Sequence, residues 1–332
     1  MVETRYGIIG EMHSINPMML EAAVAYFKKE EVNAIFITGN ISGGKHPDLS
    51  SEDYLAVVLS ILGRSQEEIF ITGGQKDKVP QLEVVVQNIS IRYPNIHSTA
   101  RGNNLLELRN HSFIFIPGCE EKDKINQNGY FFQTERKTGF YQNGDCINNR
   151  FYLMNIKQAI QKIENPEQTI AICHTPMLFE SNFLAPDHLK LGKVINTFDH
   201  PDTGETIREG KLISYVLTQK LLAIDPSLPI TLMNYNRGSE LLQKTLNSAG
   251  ITKVISAKFG ESIYHAVDSA GNPIVANNFN RELHWNATYF DGLKAGILRV
   301  KDNGTVAYSP VNLADRNVDR NSYDTPSNRV NQ

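Results

Sequence analysis

Short apolar runs, each stopping abruptly at a glycine or histidine and followed by polar residues, constrain this chain more than any other feature. Tyr6–Ile9 closes on Gly10, Ala34–Ile37 runs into Thr38-Gly39-Asn40, and Glu68–Ile71 runs into Thr72-Gly73-Gly74. Between them lie segments with a different period. Pro17 to Lys29 repeats Met19, Ala22, Ala23, Tyr26 and Phe27 at helical spacing, with Asn16 placed to cap it and Pro17 in the first turn, and a second helix is expected from about Glu52 to Leu62. Strands joined by helices require right-handed crossovers and a parallel sheet, whose functional loops gather beyond the carboxyl ends of the strands.

Further along, Leu105–Leu108 and Phe113–Ile116 read as a hairpin about Arg109-Asn110-His111, followed by a polar stretch to about Arg150 with the character of an elaborated loop. A helix is expected near Leu153 to Ile163. After it comes the strand Thr169–Cys173, ending in His174-Thr175-Pro176. Residues 186–225 read as helix-rich. Asn236-Arg237-Gly238-Ser239 opens a helix that ends at Gly250, and Thr252–Ile255 forms a strand leading into Ser256 to Ser262. Strands near Asn286 to Phe290, Ala295 to Val300 and Val306 to Ser309, separated by Asp291-Gly292 and Asn303-Gly304, suggest an antiparallel finish. The expected organisation is one domain over 1–314, with elaborated loops near 117–150 and 177–230, and a polar tail over 315–332.

Composition enters mainly to exclude. The 332 residues carry a net charge of −3, which leaves no general footprint for nucleic acid. No run approaches the roughly 20 apolar residues of a membrane helix, and Glu3 and Arg5 interrupt the N-terminus where a signal peptide needs apolar residues. Three cysteines without close spacing, Cys119, Cys146 and Cys173, read as free thiols. The expectation is a cytoplasmic protein with no membrane association.

Glu11 and His13 point the same way from an extended strand end, a pairing that suits a divalent cation. A dinucleotide site is disfavoured, because Gly7 to His13 lacks the third glycine of that fingerprint and places an acid where phosphates would sit.

Taken in order, the strand-end loops Glu11-Met12-His13, Gly39-Asn40, Gly73-Gly74-Gln75-Lys76, His174 and Ala257-Lys258-Phe259-Gly260 resemble those of the calcineurin-like metallophosphoesterase superfamily. There the loops read Asp-x-His, Gly-Asp, Gly-Asn-His-Asp/Glu, His and Gly-His-x-His. The resemblance covers about residues 5 to 310. It implies an α/β/β/α sandwich of two mixed sheets flanked by helices, with Glu11, Asn40, Gly74, His174 and Lys258 converging at one edge.

It also implies that the family's chemistry has decayed. Members hold two metals through seven side chains, and a metal-bound water attacks phosphorus. Of those positions only His13 and His174 are unchanged. Glu11 replaces aspartate, Asn40 replaces the bridging aspartate, Gly74 replaces asparagine, Lys258 and Gly260 replace two histidines, and Gln75 stands at the position of the leaving-group acid. An amide bridges two dications poorly, glycine offers no donor, and an ammonium repels a metal. The plain reading of His13 and His174 is as hydrogen-bonded loop histidines.

No metal or other cofactor is therefore expected, and the protein reads as a pseudophosphoesterase that binds or scaffolds a protein or a phosphorylated ligand. The alternative is a divergent phosphoesterase using one divalent ion (Mn, Fe, Zn or Mg) on Glu11, His13 and His174, with Asp77, His265 or His46 as possible recruits. Lys258 is expected in the cleft within salt-bridge or water-bridged reach of Glu11, and Asn40 hydrogen-bonded between loops.

Overall fold

The computed structural model describes residues 2–13, 17–41, 49–99, 104–120, 130–133, 140–142, 145–147, 152–180 and 182–314. The tail 315–332, Asn16 and His46 lie outside the described residues.

Two six-stranded mixed sheets dominate. The first runs Val306–Asn312, Lys294–Lys301, Glu3–Ile9, Ala34–Ile37, Glu68–Ile71, Ile96–Ser98, its last four strands parallel and its first two joined antiparallel to them. The second runs Ala266–Val267, Leu283–Asn286, Lys253–Ser256, Thr169–Cys173, His111–Ile116, Leu105–Leu108, with four parallel central strands between antiparallel edges.

Alternation along each strand decides the layering. Tyr6, Ile8, Phe36, Leu298 and Val300 of the first sheet meet Phe113, Phe115, Ile170, Ile172 and Trp285 of the second in one buried cluster. Phe36 sits at its centre, stacked on Tyr6 at 5.2 Å between ring centroids and edge-on to Phe113 and Phe115 at 4.9 and 5.3 Å. Each such pair adds about 1 kcal/mol beyond the area it buries. The intervening residues Ile9, Ile35, Ile37, Ile69 and Ile71 face the other way, into a cluster with helices α1 (Pro17–Lys29), α2 (Ser51–Gly63) and α3 (Val79–Arg92). Ile114, Ile116, Ala171 and Val254 do the same with α4 (Ile156–Ile160) and α6 (Glu240–Ala249). The protein is thus an α/β sandwich, and no described helix is long and apolar enough to cross a membrane.

Helices α1 and α2 match their expected spans, α6 is capped by Ser239 and ends at left-handed Gly250, and the 105–116 hairpin turns on Arg109 and Asn110, both left-handed.

Several expectations are corrected. Leu153 to Ile163 is not one helix: Tyr152–Asn155 is a strand paired on both sides, and Asn155 then caps the short α4. That strand belongs to a five-stranded sheet with Cys119–Glu120, Tyr130–Gln133, Asp145–Ile147 and Phe140–Gln142, so the described part of 117–150 is sheet rather than loop. Residues 186–225 hold one helix, α5 (Tyr215–Ile224); the rest forms the ribbon Phe198–Asp199/Thr206–Ile207 and a three-stranded antiparallel sheet of Leu212–Ser214, His188–Val194 and Ile230–Asn236. Asn286 closes the strand Leu283–Asn286, parallel to Lys253–Ser256, and the chain then turns through Phe290–Gly292, where the Phe290 amide bonds the Gly10 carbonyl. Helix α3 and the edge strand Ile96–Ser98 were not anticipated, although Pro80 and the spacing of Val79, Leu82, Val85 and Val86 announce the helix.

Candidate functional site

The first-sheet loops meet beyond the carboxyl ends of their strands, held by backbone bonds. The Glu11 and Met12 amides donate to the carbonyls of Gly39 and Asn40 at 3.1 Å each. Glu11 and Asn40 are both left-handed, with φ of 58° and 57°. Such a conformation is strained for Glu in particular and persists where surrounding bonds enforce it.

Asp77 does much of that enforcing. Fully buried, its carboxylate accepts from the amides of Asn40 (2.8 Å), Ile41 (2.8 Å) and Gly74 (2.6 Å). A carboxylate satisfied by three backbone N–H groups is a clamp between two loops, not a free ligand.

Asn40 is committed in the same way. Its Nδ2 donates to Glu11 Oε1 at 2.8 Å and its Oδ1 accepts from the Lys76 amide at 3.0 Å. The expected inter-loop bonding of Asn40 is present. Gly74 lies so close that a Cβ there would stand 2.3 Å from both the amide nitrogen and Oδ1 of Asn40, and a Cβ on Gly39 would stand 2.4 Å from the Gly74 nitrogen. No larger residue fits at 74 without separating the two loops.

His13 Nε2 lies 3.1 Å from Glu11 Oε2, and His174 Nε2 lies 3.5 Å from Glu11 Oε1. The His13 amide donates to Asp291 Oδ1 at 2.8 Å, so the Phe290–Gly292 turn also holds this loop. His174, fully buried, has Nδ1 at 2.8 Å from the Thr38 carbonyl, which fixes Nδ1 as the protonated nitrogen and leaves Nε2 with a lone pair and no hydrogen-bond partner.

Burial dominates the electrostatics. It pushes the Glu11 carboxyl up to about 8, against the pull of Lys76, Lys258 and the Asn40 bond. It pushes the His174 imidazole down to about 3, assisted by Lys258, and also lowers His13. At neutral pH the centre is thus a neutral acid beside neutral imidazoles.

Lys258 makes no direct salt bridge to Glu11, whose near partners are His13 and His174. Its ammonium lies 5.5 Å from the Phe259 ring centroid, and it reaches Glu11 as a longer-range field, second to that of Lys76. The lysine that touches the centre is Lys76, an exposed residue at its rim whose Nζ is 3.2 Å from His13 Nε2. The sequence shows Lys76 next to Gln75 in the third loop, but nothing in the spacing predicts that it turns inward. Gln75 is half-buried with Oε1 lacking a hydrogen-bond partner, and Gly260 opens a short 3-10 turn against the Tyr289 ring. His265 points elsewhere, bonding the Ala185 carbonyl and stacking on His188.

A bridging pair of metals does not fit this centre. Asn40 is neutral and spent, Gly74 offers no donor, an ammonium stands at His13, and among the described residues no group of three His, Cys, Asp or Glu side chains is disposed to hold a metal ion.

No family model matches the sequence, and no curated protein matches it. Solved structures match the fold. TT1561 of Thermus thermophilus aligns over 94% of this chain and 100% of its own at 8% identity, with a TM-score of 0.52. A further crystal structure aligns over the same shares at 11% identity, with a TM-score of 0.50. At such identities the likeness concerns the fold alone.

Proposed function

We propose that this chain is a catalytically degenerate member of the calcineurin-like metallophosphoesterases, a binding protein whose cleft takes the phosphoryl group of a phosphorylated ligand without turning it over. The carrying observation is the closure of the Asn40–Gly74 contact: the place of a bridging carboxylate and its neighbouring donor is filled by an amide locked to Glu11 and the Lys76 backbone.

Charge supports the ligand class. Two ammonium groups, Lys76 and Lys258, act on Glu11 and on His174, opposed by the carboxyl of Asp291 and, at His13, by that of Asp77, which three backbone amides already hold. A phosphoryl dianion meets fixed positive charge there, as it does beside metals in active enzymes. Turnover, by contrast, needs a positioned nucleophile and a leaving-group acid, and Gln75 supplies no titrating proton.

The test is calorimetric titration of phosphorylated ligands, beginning with phenyl phosphate and phosphoserine, in buffer containing chelator. Binding weakened roughly tenfold by Lys76→Ala and by Lys258→Ala supports the reading, since charge-assisted bonds are worth about 1.5–3 kcal/mol. Binding that requires added metal, or no binding at all, contradicts it.

One observation favours a second reading. His174 is oriented through Nδ1 as metal-bound histidines are, and its Nε2 is unpartnered beside Glu11. A single divalent ion on Glu11, His13 and His174 would require Lys76 to withdraw and the three side chains to move into a ligating arrangement that they do not hold here.

A further inference from the structure

The strand Ile230–Asn236 is the outer strand of the three-stranded sheet, seven residues long and, among the described residues, strand-paired along one side, to His188–Val194. The direction of its free bonds follows from its neighbour. The Val194 amide donates to the Lys211 carbonyl and the Val194 carbonyl accepts from Gly210, so Val194 faces the Leu212–Ser214 side. Alternation then turns Leu189, Leu191 and Lys193 toward Ile230–Asn236, where their partners are Tyr235, Met233 and Thr231. The backbone groups of Leu232 and Asn234 therefore project outward from the sheet.

Such an edge is normally blunted by a charge, a proline or a bulge. The equally long outer strand of the first sheet, Val306–Asn312, carries Pro310. Ile230–Asn236 reads ITLMNYN, with neither charge nor proline. Its surroundings are equally unprotected: residues 212–236 contain only Lys220 and Asp225 as charges, and Leu212, Val216, Ile224 and Leu232 are all large, apolar and exposed, Leu232 at 46%.

We infer that Ile230–Asn236 pairs antiparallel with the same strand of a second copy of this chain, making a continuous six-stranded sheet across a two-fold axis. A strand with no charge faces its own copy without repulsion. Centred on Met233, the pairing sets Leu232 opposite Asn234 of the second copy, so the two outward amides and two outward carbonyls on each side satisfy one another. The opposite edge of the sheet is the three-residue strand Leu212–Ser214, which runs directly into α5, so one pairing consumes the long edge and the assembly closes as a dimer rather than a fibre.

Sedimentation velocity over a hundredfold dilution series tests this on the full chain. The wild type is expected at twice the monomer mass at high concentration, dissociating on dilution. Leu232→Pro removes an outward donor and spares the ladder to His188–Val194; Leu232→Lys adds mutual repulsion at an already exposed position and keeps the backbone intact if the proline variant misfolds. Both are expected to be monomeric, with Val275→Lys, an exposed apolar position outside the 212–236 segment, still dimeric. A wild type that stays monomeric throughout, or a dimer that persists in folded Leu232→Lys, overturns the inference.

Discussion

On the first-sheet side of the cleft, Asp77 ties three amides together, Gly39 and Gly74 pack backbone against backbone, and Glu11 and Asn40 are held in left-handed conformations. On the second-sheet side, His174 is oriented by one bond to Thr38, and Lys258 and Gly260 stand partly exposed. The first-sheet loops are thus cross-linked to one another, while on the second-sheet side two positions beside the cleft stay partly exposed. Rigid closure on one wall and freedom on the other suit a site that binds more than one that must reorganise charge during a reaction.

If that contrast is right, substitutions on the closed wall should cost stability and those on the open wall should cost binding. Asp77→Ala should have the largest effect, a loss of about 4 kcal/mol in urea unfolding, because it strands three buried amides at once. Gly74→Asn should come next at about 3 kcal/mol, because the new Cβ meets Asn40 backbone. A tolerated Gly74→Asn that gained metal affinity would break the comparison.

The third expectation concerns pH, and the sign follows from the two buried groups. Glu11 keeps its proton up to about 8 in the folded state, whereas the unfolded carboxyl loses it above 4.5, so this group makes stability fall as pH rises through that window. His174 stays neutral down to about 3 when folded, whereas the unfolded imidazole protonates below 6.5, so this group makes stability fall as pH drops. Between about 4.5 and 6.5 the two slopes cancel, each state holding one proton. Above that plateau the Glu11 slope of about 1.4 kcal/mol per pH unit is unopposed until about pH 8. Glu11→Gln should abolish this alkaline arm in denaturant melts, and His174→Gln the acid arm. Parallel curves for wild type and Glu11→Gln between pH 6.5 and 8 would show that the carboxyl is not held neutral.

The smallest stability effect belongs to the open wall. Lys258→Ala should change unfolding by less than about 0.5 kcal/mol, since the residue is partly exposed, while weakening binding of phosphorylated ligands. A large loss of stability from this variant would place Lys258 with the closed wall.

How much of this was legible in the sequence differs between the same regions. Tyr6–Ile9, Ala34–Ile37, 69–71 and 170–173 are buried on both faces, so they read as short apolar runs and could be placed. The 186–225 region could not, because its sheet is half exposed and Lys190, Gly192 and Lys193 interrupt any clean period. At the site, the loop order predicted that Glu11, Asn40 and His174 would meet. It did not predict that Lys76 rather than Lys258 would approach His13, since lysine reach depends on rotamers that spacing does not encode. Nor did it reveal Asp77 as the clamp, because three backbone partners from two loops exist only once the sheet has formed.

Manganese-stimulated hydrolysis of nitrophenyl phosphate mono- and diesters by metal-reconstituted wild-type protein tests the central claim most directly. With Asn40 committed to Glu11 and the Lys76 amide, and an ammonium at His13, no turnover above background is expected at any manganese concentration. Robust turnover that disappears in both His13→Ala and His174→Ala would contradict the account and establish a working metal centre on Glu11, His13 and His174.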